Sequence, residues 1–320
     1  MTSSDKRPLL IVNPQSGGGK TGRIFDQMRA PIERALGAFD TIFTERGRHA
    51  VDIARVAAQE GVPVVIAVGG DGSIHEVVNG LMEAREHGAS GTRLGIIGQG
   101  TGGDLRRTIG LEHRLDRYCA AIAGGKVRKI DVGRCRYQTH DGASGSAYFV
   151  NILSVGLGGL VDRIVASASR GLGGAFAYYG ASVRGLLESE LGVLECTIGY
   201  KGETREEEIT TRSLAICNGR FFGSGMKVAP MAELDDGVFE VVDLGKASKL
   251  RFAMVSSSRI YTGEHIGHPN VHHFRCDKIK LVLKNQAVAD KFLLDVDGEP
   301  LGKLPLEIEL VPGAIEVLAP

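Results

Sequence analysis

An apolar run, Val62, Val64, Val65, Ile66, Ala67 and Val68, stops on Gly69-Gly70-Asp71-Gly72-Ser73 and gives way to the helix-like stretch Ile74-His75-Glu76-Val77-Val78-Asn79. Glycines at the end of a buried strand let backbone N–H groups approach a polyphosphate with no Cβ in the way, and the helix that follows adds the positive end of its dipole. Asp71 is the unusual member. A carboxylate beside phosphate oxygens repels them unless a cation bridges the two, or unless it binds a ribose hydroxyl or water. The loop therefore points to a nucleotide accompanied by a metal ion.

Two further glycine-rich turns have the same setting between an apolar run and a helical pattern. They are Asn13-Pro14-Gln15-Ser16-Gly17-Gly18-Gly19-Lys20 and Gly98-Gln99-Gly100-Thr101-Gly102-Gly103-Asp104-Leu105. The first lacks the spacing of a Walker loop, because no glycine stands five positions before Gly19, and a plain turn explains it equally well when taken alone. Three such strand ends in one domain are hard to explain by packing. Together they predict a shared wall of backbone donors for one polyphosphate.

The second half of the chain gathers acids beside turn residues. Glu233-Leu234-Asp235-Asp236-Gly237-Val238 offers carboxylates and carbonyls at hard-cation spacing, and Asp295-Val296-Asp297-Gly298-Glu299 offers another group. Asp-Gly is above all a hairpin signal, so each alone reads as a β-turn. In an extended strand, however, Asp295 and Asp297 point to one face, and a turn at Gly298 brings Glu299 near them, which would raise a carboxyl pKa toward that of a general base. His265, His268, His272 and His273 lie among Gly267, Pro269 and Asn270 and read as loop or surface residues rather than a zinc site. Ser-His-Asp chemistry finds no Gly-x-Ser-x-Gly elbow.

The elements that must position these residues fall into two textures. Over the first ~130 residues, strand patterns at Leu9–Val12, Asp40–Phe43, Val62–Val68 and Leu94–Ile97 alternate with helical patterns at Gly22–Leu36, Ala50–Glu60, Ser73–Glu86 and Leu115–Ala123. That alternation predicts an α/β domain with a parallel sheet. Beyond it, Lys129–Tyr137, Ala147–Ser154, Val193–Tyr200, Arg205–Cys217, Val238–Leu244, Lys278–Leu283 and Leu304–Val311 read as strands of a mainly antiparallel second domain. A helical insert at Leu160–Ser189 carries Ile164, Val165, Phe176, Tyr178, Tyr179, Val183, Leu186 and Leu187. The expected domains are residues 1–128 and 129–320, with the last residues returning to the first domain and the site in a cleft between the two.

Composition narrows the partners. In 320 residues, Lys+Arg and Asp+Glu both number 38, so no global positive field recruits nucleic acid or anionic lipid, and any membrane contact must be local and mainly apolar. The five cysteines are scattered without a Cys-x-x-Cys pair and read as reduced core residues. Leu9–Val12 is too short for a signal segment, and no stretch approaches the roughly 18 apolar residues that span a bilayer. A cytoplasmic protein is the expectation.

Taken in order, Asn13-Pro14-x-Ser16-Gly17, Thr44-Glu45 ahead of Ala50, Gly69-Gly70-Asp71-Gly72-Ser73, Gly100-Thr101-x-x-Asp104, Met226-Lys227-x-Ala229-Pro230, Asp236-Gly237 and Asp297-Gly298-Glu299 resemble the diacylglycerol kinase-like lipid kinases. That group contains bacterial diacylglycerol kinases and sphingosine kinases. The Gly-Asp-Gly loop alone is shared with NAD kinases and phosphofructokinases, and it is the ordered set that is specific.

The resemblance implies an NAD kinase/diacylglycerol kinase-like α/β domain followed by a β-sandwich, and ATP-dependent phosphoryl transfer to a hydroxyl of a diacylglycerol- or sphingoid-type lipid. On this chain it implies that Asn13, Pro14, Gln15, Ser16, Gly17, Thr44, Gly69, Gly70, Asp71, Gly72, Ser73, Ile74, His75 and Thr101 line the nucleotide. Glu233 and Asp236 with the Val238 carbonyl would hold a metal. Glu299, supported by Asp297, would accept the proton, and Mg2+ held near Asp71 through water would bridge the phosphates. The expected partner is a lipid at the membrane surface, met by peripheral contact on the inner face, with a homodimer as an option and no nucleic acid.

The chain departs from the family pattern at three positions. Ser73 replaces Thr, Gly103 replaces Asn, and Glu233 replaces Asp. An NAD kinase-like enzyme with a soluble substrate and a nucleotide-binding regulator without catalysis stand as alternatives.

Overall fold

The computed structural model describes residues 6–167 and 174–320, leaving out the side chains of residues 166, 174–179 and 254–258. The chain forms two compact units: one runs up to Val132 and takes back Pro312–Pro320, and the other is Gly133–Val311.

The first unit alternates strand and helix. Its elements are β1 (Leu9–Val12), α1 (Lys20–Leu36), β2 (Asp40–Phe43), α2 (His49–Gln59), β3 (Val64–Gly69), α3 (Asp71–Glu86), β4 (Arg93–Gly98), α4 (Asp104–Ile109) and α5 (Leu115–Gly124). All pairings are parallel, in the order β2-β1-β3-β4, and the last strand of the chain adds to β4 through Val317 opposite Leu94. Parallel strands covered by helices on both faces lose the alternation of half-exposed strands. Leu10, Ile11 and Val12 on β1 and Val65 through Val68 on β3 are accordingly almost completely buried. The C-terminal ends of β1, β2, β3 and β4 therefore lie side by side, and the three glycine turns follow β1, β3 and β4.

The second unit begins within β5 (Val127–Gln138) and continues through β6 (Ser144–Phe149), β7 (Ile152–Gly156), α6 (Leu157–Ser167), α7 (Gly174–Glu188), β8 (Gly192–Tyr200), β9 (Glu203–Thr211), β10 (Ser213–Cys217), β11 (Phe239–Asp243), α8 (Lys249–Thr262), β12 (His272–Cys276), β13 (Lys278–Leu283), β14 (Leu293–Val296) and β15 (Glu299–Leu318). Antiparallel pairing gives one run β12-β11-β10-β7-β14 and another β9-β8-β13, and β15 pairs with both β14 and β13. Their inward side chains make one core in which Phe149, Phe239, Phe292, Leu294, Ile279 and Leu306 are buried. This is a β-sandwich, antiparallel as the strand pattern predicts and of the kind the family resemblance implies.

Several expectations change. The strand expected over Ala147–Ser154 is two strands, interrupted at Val150-Asn151 because the N–H groups there serve a side chain rather than a ladder. The strand expected over Arg205–Cys217 breaks at Arg212, whose buried guanidinium donates to Ser189 O and Oγ and to Ala247 O. Helix α8 is missed by the sequence reading, although Ser248 accepts the Arg251 N–H as its N-cap and Gly263 ends it in the left-handed region. The helical insert is α6 and α7; Phe176, Tyr178 and Tyr179 lie outside the described side chains.

Three of the four histidines lie in a loop or at the surface as expected: His268 follows a short helical turn, and His272 and His273 are exposed on β12. His265 differs, 1% exposed with Nε2 3.0 Å from Val228 O. Antiparallel register places β12 against β11, where the buried Glu240 pairs with His273 and accepts the Arg275 Nε–H at 2.9 Å. No helix among the described residues is long and apolar enough to cross a membrane.

Candidate functional site

In the first unit the three glycine turns meet. Asn13, the residue after β1, donates its Nδ2–H to Ser73 Oγ at 3.1 Å and accepts the Gln15 N–H at 3.0 Å, so one side chain joins the first turn to the second. Gln99 donates its N–H to Gly69 O at 2.7 Å, which joins the second to the third. A Cβ on Gly17 would lie 2.9 Å from Gln99 O, and one on Gly100 only 2.6 Å from Gly70 Cα. These approaches are shorter than real Cβ contacts, so glycine is required for the turns to close on one another.

Asp71 is the centre of this closure. One oxygen accepts the Gly103 N–H at 2.6 Å and the other the Asp104 N–H at 3.1 Å. The first turn of α4 is thus capped by a carboxylate from the start of α3. Gly102 is forced as well, since its Cβ would lie 2.7 Å from the Asp71 carboxylate. Asp104 in turn accepts from Arg107 at 2.9 Å, and the same guanidinium donates to Gly102 O.

The remaining predicted residues of this unit fall close by or into the core. Thr44 directly follows β2 beside β1, with its N–H on Val12 O at 2.8 Å, and Ser16 Oγ lies 3.4 Å from where a Gly70 Cβ would stand. Thr101 is exposed at the tip of the third turn. Ile74 is 3% exposed and packs in the core, so it reaches a ligand only through its backbone. His75 is also buried, with Nε2 3.3 Å from Asn79 Nδ2 and its carbonyl accepting from the same amide at 2.9 Å.

Sequence reasoning missed the charge around the third turn. Arg106, Lys20 and Arg107 all act on His113, whose pKa is lowered first by burial and then by these three cations. A positive field beside backbone donors suits phosphate oxygens. Arg106-Arg107 directly after a glycine turn was the available signal. Gly103 now has a physical account: at φ +67° it takes the left-handed conformation, and a Cβ would lie 2.8 Å from Arg106 Nε. The glycine that stands in place of Asn makes room for a guanidinium. Tyr118 fills a similar gap, its hydroxyl 2.6 Å from where a Gly98 Cβ would stand and 2.9 Å from His113 Nδ1; burial pushes that hydroxyl up to about 12.

In the second unit the acidic residues separate into a turn and a hairpin. Glu233 is exposed and ion-pairs with Arg220, whose Nε also donates to Ala232 O at 2.8 Å. Asp236 Oδ1 accepts the Val238 N–H at 3.3 Å around Gly237, which has φ +76°. The three predicted metal residues thus share one turn. A cation there would compete with Arg220 for Glu233. Among the described residues, no group of three or more His, Cys, Asp or Glu side chains is placed to hold a metal.

Asp297 and Gly298 form the two-residue connection between β14 and β15, both with positive φ (+51° and +88°), and Val296 pairs with Glu299 across it. This is the Asp-Gly hairpin expected from sequence. Asp297 is therefore a turn residue, not an extended one sharing a face with Asp295. Its carboxylate accepts the N–H groups of Val150, Asn151 and Ile152 at 3.1, 3.0 and 3.1 Å, which pins the hairpin to the interruption between β6 and β7. Glu299 stands exposed two residues after Asp297, at the start of β15. Asp295 is completely buried; it accepts Ser154 Oγ–H at 3.2 Å and the Gly298 N–H at 2.9 Å.

Residues 7–135 match the family described as diacylglycerol kinase catalytic domain, and residues 151–319 match the YegS C-terminal NAD kinase β-sandwich-like domain. The chain is 30% identical to a diacylglycerol kinase of Staphylococcus carnosus, covering 98% of this chain and 95% of that one. It is 31% identical to one of Bacillus subtilis, covering 98% and 97%. Among solved structures it resembles a diacylglycerol kinase from Bacillus anthracis, with TM-score 0.67 at 21% identity over 98% of this chain and 97% of that one. Yeast NADH kinase complexed with NADH matches the fold with TM-score 0.50 at 10% identity, over 98% of this chain and 84% of that one.

Proposed function

The chain belongs to the diacylglycerol kinase family, a group of ATP-using phosphotransferases with an alcohol group as acceptor, and from that premise we propose that this lipid kinase phosphorylates the free hydroxyl of a diacylglycerol-type lipid. The observation that carries the site reading is the closure of the three glycine turns through Asn13, Asp71 and the Gly70–Gly100 approach. Such closure brings backbone donors from three strand ends into one cradle, with Lys20, Arg106 and Arg107 supplying positive charge for phosphate.

In this reading the turns hold the triphosphate, Thr44 and Thr101 border it, and Glu299 takes the acceptor's proton. Asp297 positions Glu299 by locking its hairpin. Each Asp71 oxygen accepts one N–H, which fixes the carboxylate at the three turns, where it would hold a cation through water. Magnesium bound there supplies charge neutralisation on the phosphates. Glu233 and Asp236 with the Val238 carbonyl would hold a second metal in their shared turn, once Glu233 is released from Arg220.

The lipid is met at the membrane surface from the cytoplasmic side. Support comes from Val183 and Leu187 on α7 and Leu250 on α8, which are 45%, 67% and 74% exposed. Lys249 Nζ donates to Leu187 O at 2.5 Å and brings these helix ends together. Exposed apolar side chains beside a lysine suit an interface with headgroups.

Purified protein incubated with labelled ATP and diacylglycerol, monoacylglycerol, sphingosine, ceramide or phosphatidylglycerol in mixed micelles tests the acceptor. Label is expected in the diacylglycerol product. Transfer to NAD with none to any lipid would defeat the reading, and ATP binding without turnover on the whole panel would favour a regulator.

A further inference from the structure

Beneath the hairpin that carries Glu299, two carboxyl groups meet out of water. Asp162 on α6 is 8% exposed and Asp295 on β14 is 0% exposed. They lie within hydrogen-bonding reach of each other, and burial, the largest cause, raises both: Asp162 to about 7 and Asp295 well above 3.8. The helix and strand touch closely. A Cβ on Gly159, one turn before Asp162, would lie 2.6 Å from the Leu293 carbonyl carbon.

The donors around the pair are incomplete. Asp295 accepts from Ser154 Oγ and from the Gly298 N–H, but among the described residues the buried Asp162 Oδ2 has no N–H or O–H donor. Two ionised carboxylates in that position would repel each other at hydrogen-bond distance, with only the Ser154 hydroxyl and the Gly298 N–H, both on Asp295, to offset them. A single proton between the two removes the repulsion and supplies the missing donor.

The surrounding charges do not change this balance. From β15, Glu299 acts on Asp162 and disfavours its charge. From the turn after β14, Asp297 is held by three backbone N–H groups, and β7 contributes the Ser154 hydroxyl. On α6 itself Arg163 faces Glu188 and Asp290, and Arg184 of α7 pairs with Glu188.

We infer that Asp162 and Asp295 hold one proton between them, and that this carboxyl–carboxylate hydrogen bond fixes the Asp297-Gly298 hairpin, and with it Glu299, against helix α6. Both are positioning residues; the inference rests on the reading of Glu299 as the proton acceptor. Because the raised pKa belongs to the folded state, the associated stability is complete below the ordinary carboxylate pKa and is lost as pH rises through the raised one. Deprotonation then loosens the hairpin.

The test compares wild type with Asp162→Asn, Asp295→Asn and Asp162→Ala from about pH 5 to about pH 9. Near pH 6 the infrared spectrum of the wild type should show a protonated-carboxyl C=O band that both Asn variants lack, because an amide donor leaves the other carboxyl ionised. The Tm of the wild type should fall relative to Asp162→Asn as pH rises. Its kcat on the lipid should decline at high pH where that of Asp162→Asn does not, and Asp162→Ala should be at least tenfold slower across the range, with Asn restoring most of the loss. An unchanged band in both Asn variants, or parallel Tm curves, overturns the inference. Glu299→Gln separates the two readings: if it turns over normally, the base reading falls while the band and the Tm curves stand. Should Asp162→Ala fail to fold, the isosteric variants and the wild-type band decide alone.

Discussion

Gly100 and Gly70 meet backbone to backbone: a Cβ on Gly100 would lie 2.6 Å from Gly70 Cα, with no flexible side chain between them to give way. The two glycines belong to turns about thirty residues apart in sequence, and each owes its identity to the other. Gly100→Ala should force the second and third turns apart and weaken ATP binding at least tenfold, about 1.4 kcal/mol. Gly124→Ala on α5, where a Cβ meets nothing within 4 Å, should leave it unchanged. Calorimetric titration with a non-hydrolysable ATP analogue reads both.

Asp71 accepts one N–H on each oxygen, so neither oxygen is replaceable by a donor. Asp71→Ala should abolish turnover by leaving the Gly103 and Asp104 N–H groups without their acceptor. Asp71→Asn is expected to fare little better, since its amide NH2 must face one of those N–H groups. Hydrogen bonds to a charged group are worth about 1.5–3 kcal/mol each, so ATP affinity should drop with turnover in both variants. A fully active Asp71→Asn enzyme would remove Asp71 from this role.

Glu299 tests the chemistry rather than the cradle. Glu299→Gln should keep ATP affinity and lower kcat by about two to four powers of ten, the usual worth of a general base. Single-turnover measurements with saturating lipid isolate that step. Asp297→Asn should lower kcat as well, because it weakens the three backbone bonds that place Glu299.

All five cysteines are buried, and burial pushes the Cys135, Cys196 and Cys276 thiols up to about 12. Thiols so far from ionisation are poor nucleophiles. An alkylating reagent should therefore leave the native enzyme unlabelled and fully active, and mass spectrometry should find five adducts only after unfolding. Rapid labelling of the native protein would contradict the burial.

The fold was legible where local pattern and tertiary packing agree. The β3 run could be read because a strand buried on both faces must be apolar throughout, and its glycine stop because only glycine tolerates the neighbouring turns. The break at Val150-Asn151 was not legible. Nothing in Ala147–Ser154 signals that a carboxylate some 150 residues later would claim its N–H groups. His265 was misread for a similar reason: the Gly, Pro and Asn around it describe the path of the chain, not what covers the ring.

The sequence by itself determined the alternation of strand and helix, the three glycine turns, the Asp-Gly hairpin and the order of motifs that marks a lipid kinase, since each is written in residues close together along the chain. Tertiary structure alone decided that Asp71 caps α4, that Gly103 shelters Arg106, and that Asp162 finds Asp295. Those relationships depend on which donors and charges remain unsatisfied once distant segments are packed out of water, and that is a property of the folded molecule.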